Sequence, residues 1–218
     1  MKETTLDMLS SDLLSTCPDR QKAALTTTAR LGARRPDQVM LLIPALITLL
    51  AHSDAEVAAL SSWAIGQIGY ERPFPVQAAI PALLDLLKHP VQRVRQCAVW
   101  TLGQIGEASP ALIEHALPGI IELEHDPDPS VRLAMLWTCE SLAARRPALL
   151  TPHINCFIAL LNDPDIERVQ REAPVMIQIL AERDVDSVQS AVPRLEELTC
   201  SGDAIVRIHA REALRILQ

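Results

Sequence analysis

The feature that most constrains this chain is a repeat. Pro36, Pro73, Pro110 and Pro147 stand 37 residues apart, and so do Pro44, Pro81 and Pro118. One step beyond Pro118 lies Asn155, and after a one-residue insertion comes Pro193. A third column runs through Val57, Val94, Val131, Val169 and Val206, with spacings of 37, 37, 38 and 37. Carried backward it reaches Arg20, where a weaker copy, QKAALTTTARLG, begins. A fixed period of this length marks a stacked array, in which each unit buries its apolar face only against its neighbours. It divides the chain into units of about 1–35, 36–72, 73–109, 110–146, 147–184 and 185–218, together one domain over 1–218.

Each unit predicts two helices, so the fold class is all-α with about six helical hairpins. The first helix starts at the outer proline, where a missing N–H has no intrahelical partner to lose. The inner proline falls about eight residues later, and an interior proline removes a backbone bond, so a bend is expected there. Leu49, Leu86, Leu123, Leu160 and Leu198 form its core column. The second stretch (VAALSSWAIGQIG, VRQCAVWTLGQIG, VRLAMLWTCESLA) repeats apolar residues at three- and four-residue spacing, the pattern of an amphipathic helix. Leu31, Ile68, Ile105, Leu142, Leu180 and Leu217 are expected to lock neighbouring units, and Gly32, Gly69 and Gly106 to close the helices as left-handed caps.

Composition agrees with helices packed through small and aliphatic side chains: 49% of residues are hydrophobic but only 3% aromatic. A net charge of −7 argues against nucleic acid or an anionic membrane surface as partner. The N-terminal MKETTLDMLSSDLLS lacks the apolar run of a signal peptide. The longest apolar stretch, 39–51, contains Pro44 and ends at His52, too short to cross a membrane. Cys17, Cys97, Cys139, Cys156 and Cys200 are odd in number with no CxxC pair, and read as buried thiols of a reducing compartment. A cytoplasmic location is the expectation.

The segment IPALLDLLKHPVQRVRQCAVWTLGQIG resembles a HEAT repeat, through its proline-containing first helix, its D/P-rich turn and its VR…LGQIG second helix. The resemblance spans essentially the whole chain and is strongest from Pro36 to Ala181. The end units depart from it, with Thr26, Thr27 and Thr28 in the first and a closing REALRILQ without glycine in the last. It implies a right-handed HEAT/armadillo-like α–α superhelix with the second helices lining a concave face.

That resemblance also gives Trp63, Trp100 and Trp137 a meaning. They are the chain's three tryptophans, 37 residues apart, at a position that in HEAT repeats faces the concave groove. Gln67, Gln104 and Ser141 follow four residues later on the same helical face. The WxxxQ, WxxxQ, WxxxS series is similar to the armadillo-repeat importins, in which Trp and a carboxamide form a ladder that holds an extended peptide. Glu107 and Glu140 lie near the same face and tilt the expected ligand toward a basic or mixed segment. The competing reading is that the indoles fill space between helices.

Other recurring residues read as framework. His52, His89 and His125 fall in successive turns, about one helix-packing distance of ~10 Å apart, too far to share one metal ion. Asp126, Asp128, Asp163, Asp165 and Asp203 sit where carboxylates cap helix starts, and Arg95, Arg132 and Arg207 near the second-helix starts are expected to bridge to turn acids. No GxSxG, phosphate loop or HExxH is present. Among enzymes on this scaffold, metal hydroxylases carry His-Glu pairs, and no His here precedes Glu. Alkylpurine glycosylases use a basic groove, whereas basic residues here, such as Lys22, Arg30 and Arg171, are scattered. Bilin lyases lack a sharp motif and stand as the alternative, ahead of a nucleic-acid-binding repeat protein. The sequence therefore points to a non-catalytic scaffold for a protein or peptide partner, with no cofactor and no metal.

Overall fold

The computed structural model describes residues 3–217, and among them the chain is helical with turns and no strand. It divides into two compact units, Met1–Ile120 and Ile121–Gln218. The first holds α1 (Glu3–Leu13), α2 (Pro18–Arg34), α3 (Ile43–Leu50), α4 (Ala55–Glu71), α5 (Ile80–Leu86), α6 (Gln92–Ala108) and α7 (Pro110–Ile113). Helix α8 (Leu117–Ile121) carries the division, and the second unit continues with α9 (Pro129–Arg145), α10 (Ile154–Leu160), α11 (Arg171–Ala181), α12 (Val192–Leu198) and α13 (Ala204–Leu217). Each repeat supplies a short first arm and a long second helix, which gives the six expected hairpins.

The first arms are broken rather than bent. Pro36 and Pro147 open 3-10 turns, and Pro44, Pro81 and Pro193 each stand in the first turn of a new α-helix. A proline in mid-helix would lose a bond and clash with the preceding turn; placed at a helix start it does neither. The chain therefore relaxes into 3-10 geometry and restarts. Both leucine and isoleucine columns are core as expected, with Leu31 alone half-buried.

The glycines do not act as left-handed caps, because no glycine has positive φ. They admit a neighbouring helix instead. A Cβ on Gly32 would lie 2.7 Å from Ile68 Cγ1, and one on Gly69 would lie 2.8 Å from Ile105 Cγ1. Small polar residues add hydrogen bonds: Thr101 Oγ1 donates to the Ser62 carbonyl at 2.8 Å between α6 and α4, and Ser61 Oγ donates to the Leu46 carbonyl at 2.6 Å between α4 and α3.

The extra residue between Val131 and Val169 is absorbed as a π-helical turn, Ile166–Gln170, just before α11. One inserted residue widens a turn without displacing the flanking register. The buried Gln170 side chain secures it by donating to the Leu161 carbonyl at 3.1 Å.

The turns are held by the predicted acids and histidines. Asp128 accepts from Ser130 N, Asp126 from Asp128 N, Asp163 from Asp165 N, Asp165 from Arg168 N, and Asp203 from Ile205 N. His52 Nδ1 and His89 Nδ1 accept from Asp54 N and Val91 N, while His125 pairs with Glu124. Arg95 donates to the His89 carbonyl at 2.8 Å and Arg207 to the Ser201 carbonyl at 2.7 Å. Arg132 bridges, with two donations to Asp163 of the following repeat at 2.6 and 2.7 Å.

Candidate binding surface on the second helices

Helices α4, α6 and α9 place their tryptophans in one repeat register, as the sequence requires, but in different surroundings. Trp137, in the second unit, is 49% exposed. Trp63 and Trp100, in the first, are half-buried. The ring of Trp100 lies over α4 where Gly66 leaves room: a Cβ there would be 2.6 Å from Trp100 Cζ3 and 3.0 Å from Thr101 Oγ1. Trp100 is thus both packing and surface. Truncating this ring would open a gap above Gly66, so Trp100→Ala should lower stability.

Trp63 forms one wall of a pocket of about 210 Å³ between α4 and α6, with Ala59, Leu60, Arg93 and Cys97 completing the lining. Cys97, read from the sequence as a buried thiol, is half-buried and is one of the residues that line this pocket. Burial still pushes it up, against a smaller opposing effect of Arg93. Cys139 and Cys156 are buried, but Cys17 and Cys200 are exposed, because they lie in the turns preceding α2 and α13. The reading of five buried thiols fails at those two.

The carboxamides of Gln67 and Gln104 are half-buried, as are Ser141 and Glu107, and Gln67 and Gln104 have no hydrogen-bond partner among the described residues. They are free to meet a ligand.

Glu140 behaves differently from a steering charge. Its Oε1 is buried without a hydrogen-bond partner. Burial first, and then the charge of Glu172 on α11, raise its carboxyl from 4.5 to about 8, so it is neutral at pH 7. The signal that could have shown this is a column. Gly66, Gly103 and Glu140 share one register, and the residue at the tryptophan register after Trp137 is Val175. Where Gly66 receives an indole from the next helix, the register at Glu140 is followed by Val175 rather than by a tryptophan.

Two of the three basic residues singled out in the sequence, Lys22 and Arg171, are held in ion pairs. Lys22 pairs with Asp54 at 3.0 Å and Glu56 at 2.6 Å, and Arg171 pairs with Asp203 at 2.7 Å. Both join a second helix to the turn of the next repeat. No described helix is long and apolar enough to cross a membrane.

Residues 43–119 match the family described as HEAT repeats. No curated protein matches the chain. Among solved structures, a designed armadillo repeat protein in complex with the peptide (KR)4 is similar, with TM-score 0.79, 23% identity, and coverage of 98% of this chain and 99% of that one. So is a computationally designed armadillo repeat protein for modular peptide recognition, with TM-score 0.76, 22% identity, and coverage of 98% and 100%. An engineered protein is similar with TM-score 0.78, 20% identity, and coverage of 98% and 96%. At these identities the likeness is one of fold.

Proposed function

We propose that this chain, whose residues 43–119 match HEAT repeats and whose fold is similar to that of designed armadillo repeat proteins, is a non-catalytic cytoplasmic scaffold that binds an extended protein segment through its second helices. The observation that carries this reading is the set of three tryptophans in one register of consecutive second helices, each with surface open to solvent. Repeated exposed indoles are unfavourable on a surface with no partner. The unpartnered carboxamides of Gln67 and Gln104 supply donors and acceptors for a peptide backbone, which fixes a ligand's path without reading its sequence. That a similar designed protein holds (KR)4 supports the use of this fold for extended peptides.

An extended chain advances roughly 3.3 Å per residue, so rungs about one helix-packing distance apart suit every second or third side chain. Indole faces stack on cationic heads or clasp aliphatic stems, at about 0.5–2 kcal/mol for each cation–π contact. Glu107 adds a weak preference for a basic residue, while Glu140, being neutral, adds none before a ligand arrives.

The test begins with affinity capture and mass spectrometry, comparing the protein with a variant in which all three tryptophans are alanine. The partner so found is then titrated against Trp137→Ala, the substitution least entangled with packing. Binding should weaken by about tenfold or more, some 1.4 kcal/mol, with an unchanged melting temperature. Undiminished affinity in both variants would place the binding surface elsewhere.

A further inference from the structure

The pocket beside Trp63 allows the ligand to be specified, on the premise that the second helices engage a protein segment. Its lining is largely apolar, with Ala59, Leu60 and Trp63. At about 210 Å³ it exceeds the roughly 150 Å³ that accommodates a benzene-sized group in a protein interior. Arg93 also lines it, is exposed, and makes no hydrogen bond or ion pair with any described residue. The contrast with Arg95, two residues on, is informative: that guanidinium is engaged by the carbonyls of His89 and Pro90.

An apolar pocket with one convergent charged group selects by shape and by sign. A lysine or arginine entering here meets apolar walls and a like charge. A branched aliphatic or phenyl side chain fills the walls, and a carboxylate beside it meets Arg93. We infer that this pocket is a subsite for an apolar side chain flanked by an acidic residue in the partner segment. The Trp63 position is thereby distinguished from a rung that clasps a cation.

Cys97 is among the residues that line the same pocket, so the protein carries its own reporter. In a Cys17→Ser, Cys200→Ser background, Cys97 is equilibrated by thiol–disulfide exchange with three probes. These are the disulfides of 3-mercaptopropionyl-phenylalanine, of its primary amide, and of the same scaffold with an ammonium in place of the carboxylate. Intact mass gives the fraction of Cys97 modified at equilibrium, and circular dichroism verifies the fold of each variant. The carboxylate probe should exceed the ammonium probe by about fivefold or more at low salt. Arg93→Glu, a change at an exposed residue, should reverse that order, and Trp63→Ala or Trp63→Phe should lower modification by every probe.

Equal modification by all three probes, or an order unmoved by Arg93→Glu, overturns the subsite. Because the probes need no partner, this result is separable from the capture experiment. A missing preference removes the subsite even where capture depends on Trp137. A clear preference with failed capture removes the binding face and, with it, the occupant assigned here.

Discussion

Glu140 shows how one residue couples packing to pH. Its carboxyl titrates near 8 in the folded protein rather than at 4.5, chiefly because it is buried and secondarily because Glu172 is close. Between those values the unfolded chain releases the proton and the folded one keeps it, so this group favours the folded state at low pH and loses that effect as pH rises through about 8. Glu140→Gln should flatten the dependence. Relative to the parent, the variant should gain about 1–4 kcal/mol between pH 5 and pH 8.5, read by urea unfolding; parallel pH profiles would contradict this origin. The thiols offer a second residue-scale check. An aromatic disulfide reagent should label Cys17 and Cys200 fast and Cys97 slowly, whereas Cys139 and Cys156, buried and shifted upward, should react only on unfolding. At this scale the sequence was a partial guide. Periodicity located the tryptophans and the core columns, because burial follows helical register. It did not reveal that Gly66 makes room for an indole, nor that the Glu140 carboxyl has a buried, unpartnered oxygen, because both facts depend on what the adjacent helix presents.

At the scale of elements, the second helices were legible and the first were not. A long amphipathic pattern specifies a helix through its burial, whereas a stretch with prolines eight residues apart has two solutions, a bent helix or a restart, separated by local backbone energetics. The one-residue insertion was visible in the spacing, but its location in a π turn was decided by where a widened turn fits. The joints between repeats are ion pairs of unequal weight. Arg132–Asp163 is nearly buried, with the side chains 10% and 4% exposed, whereas Arg72–Asp37 is open, at 48% and 71%. Removing one partner from the first leaves a buried charge unpaired, so Arg132→Ala should destabilise by about 3–5 kcal/mol. Arg72→Ala should change stability by no more than about 1 kcal/mol. Chemical denaturation of the two variants decides whether burial sets the weight of these joints. Ile105, fully buried and seated on Gly69, sets the apolar scale for comparison: Ile105→Ala should cost about 2–5 kcal/mol.

For the whole molecule, the question is whether two compact units amount to two domains. Domain boundaries fall in exposed, polar linkers that few contacts cross. The division here falls inside α8, at Ile120 and Ile121, where Leu117 and Ile120 are buried and Leu123 follows in the core. No linker interrupts the 37-residue period at that point, since Pro110 to Pro147 and Val94 to Val131 keep the step. In a stacked array each unit's stability includes the interfaces with its neighbours. We therefore propose that 1–218 acts as one repeat domain. Under this proposal the fragment 121–218 on its own should lack the helical content that the same residues show in the full chain, and the full chain should melt with coincident transitions by circular dichroism and tryptophan fluorescence. A fragment 121–218 that folds cooperatively to full helicity, together with two separated transitions in the full chain, would establish two independent domains.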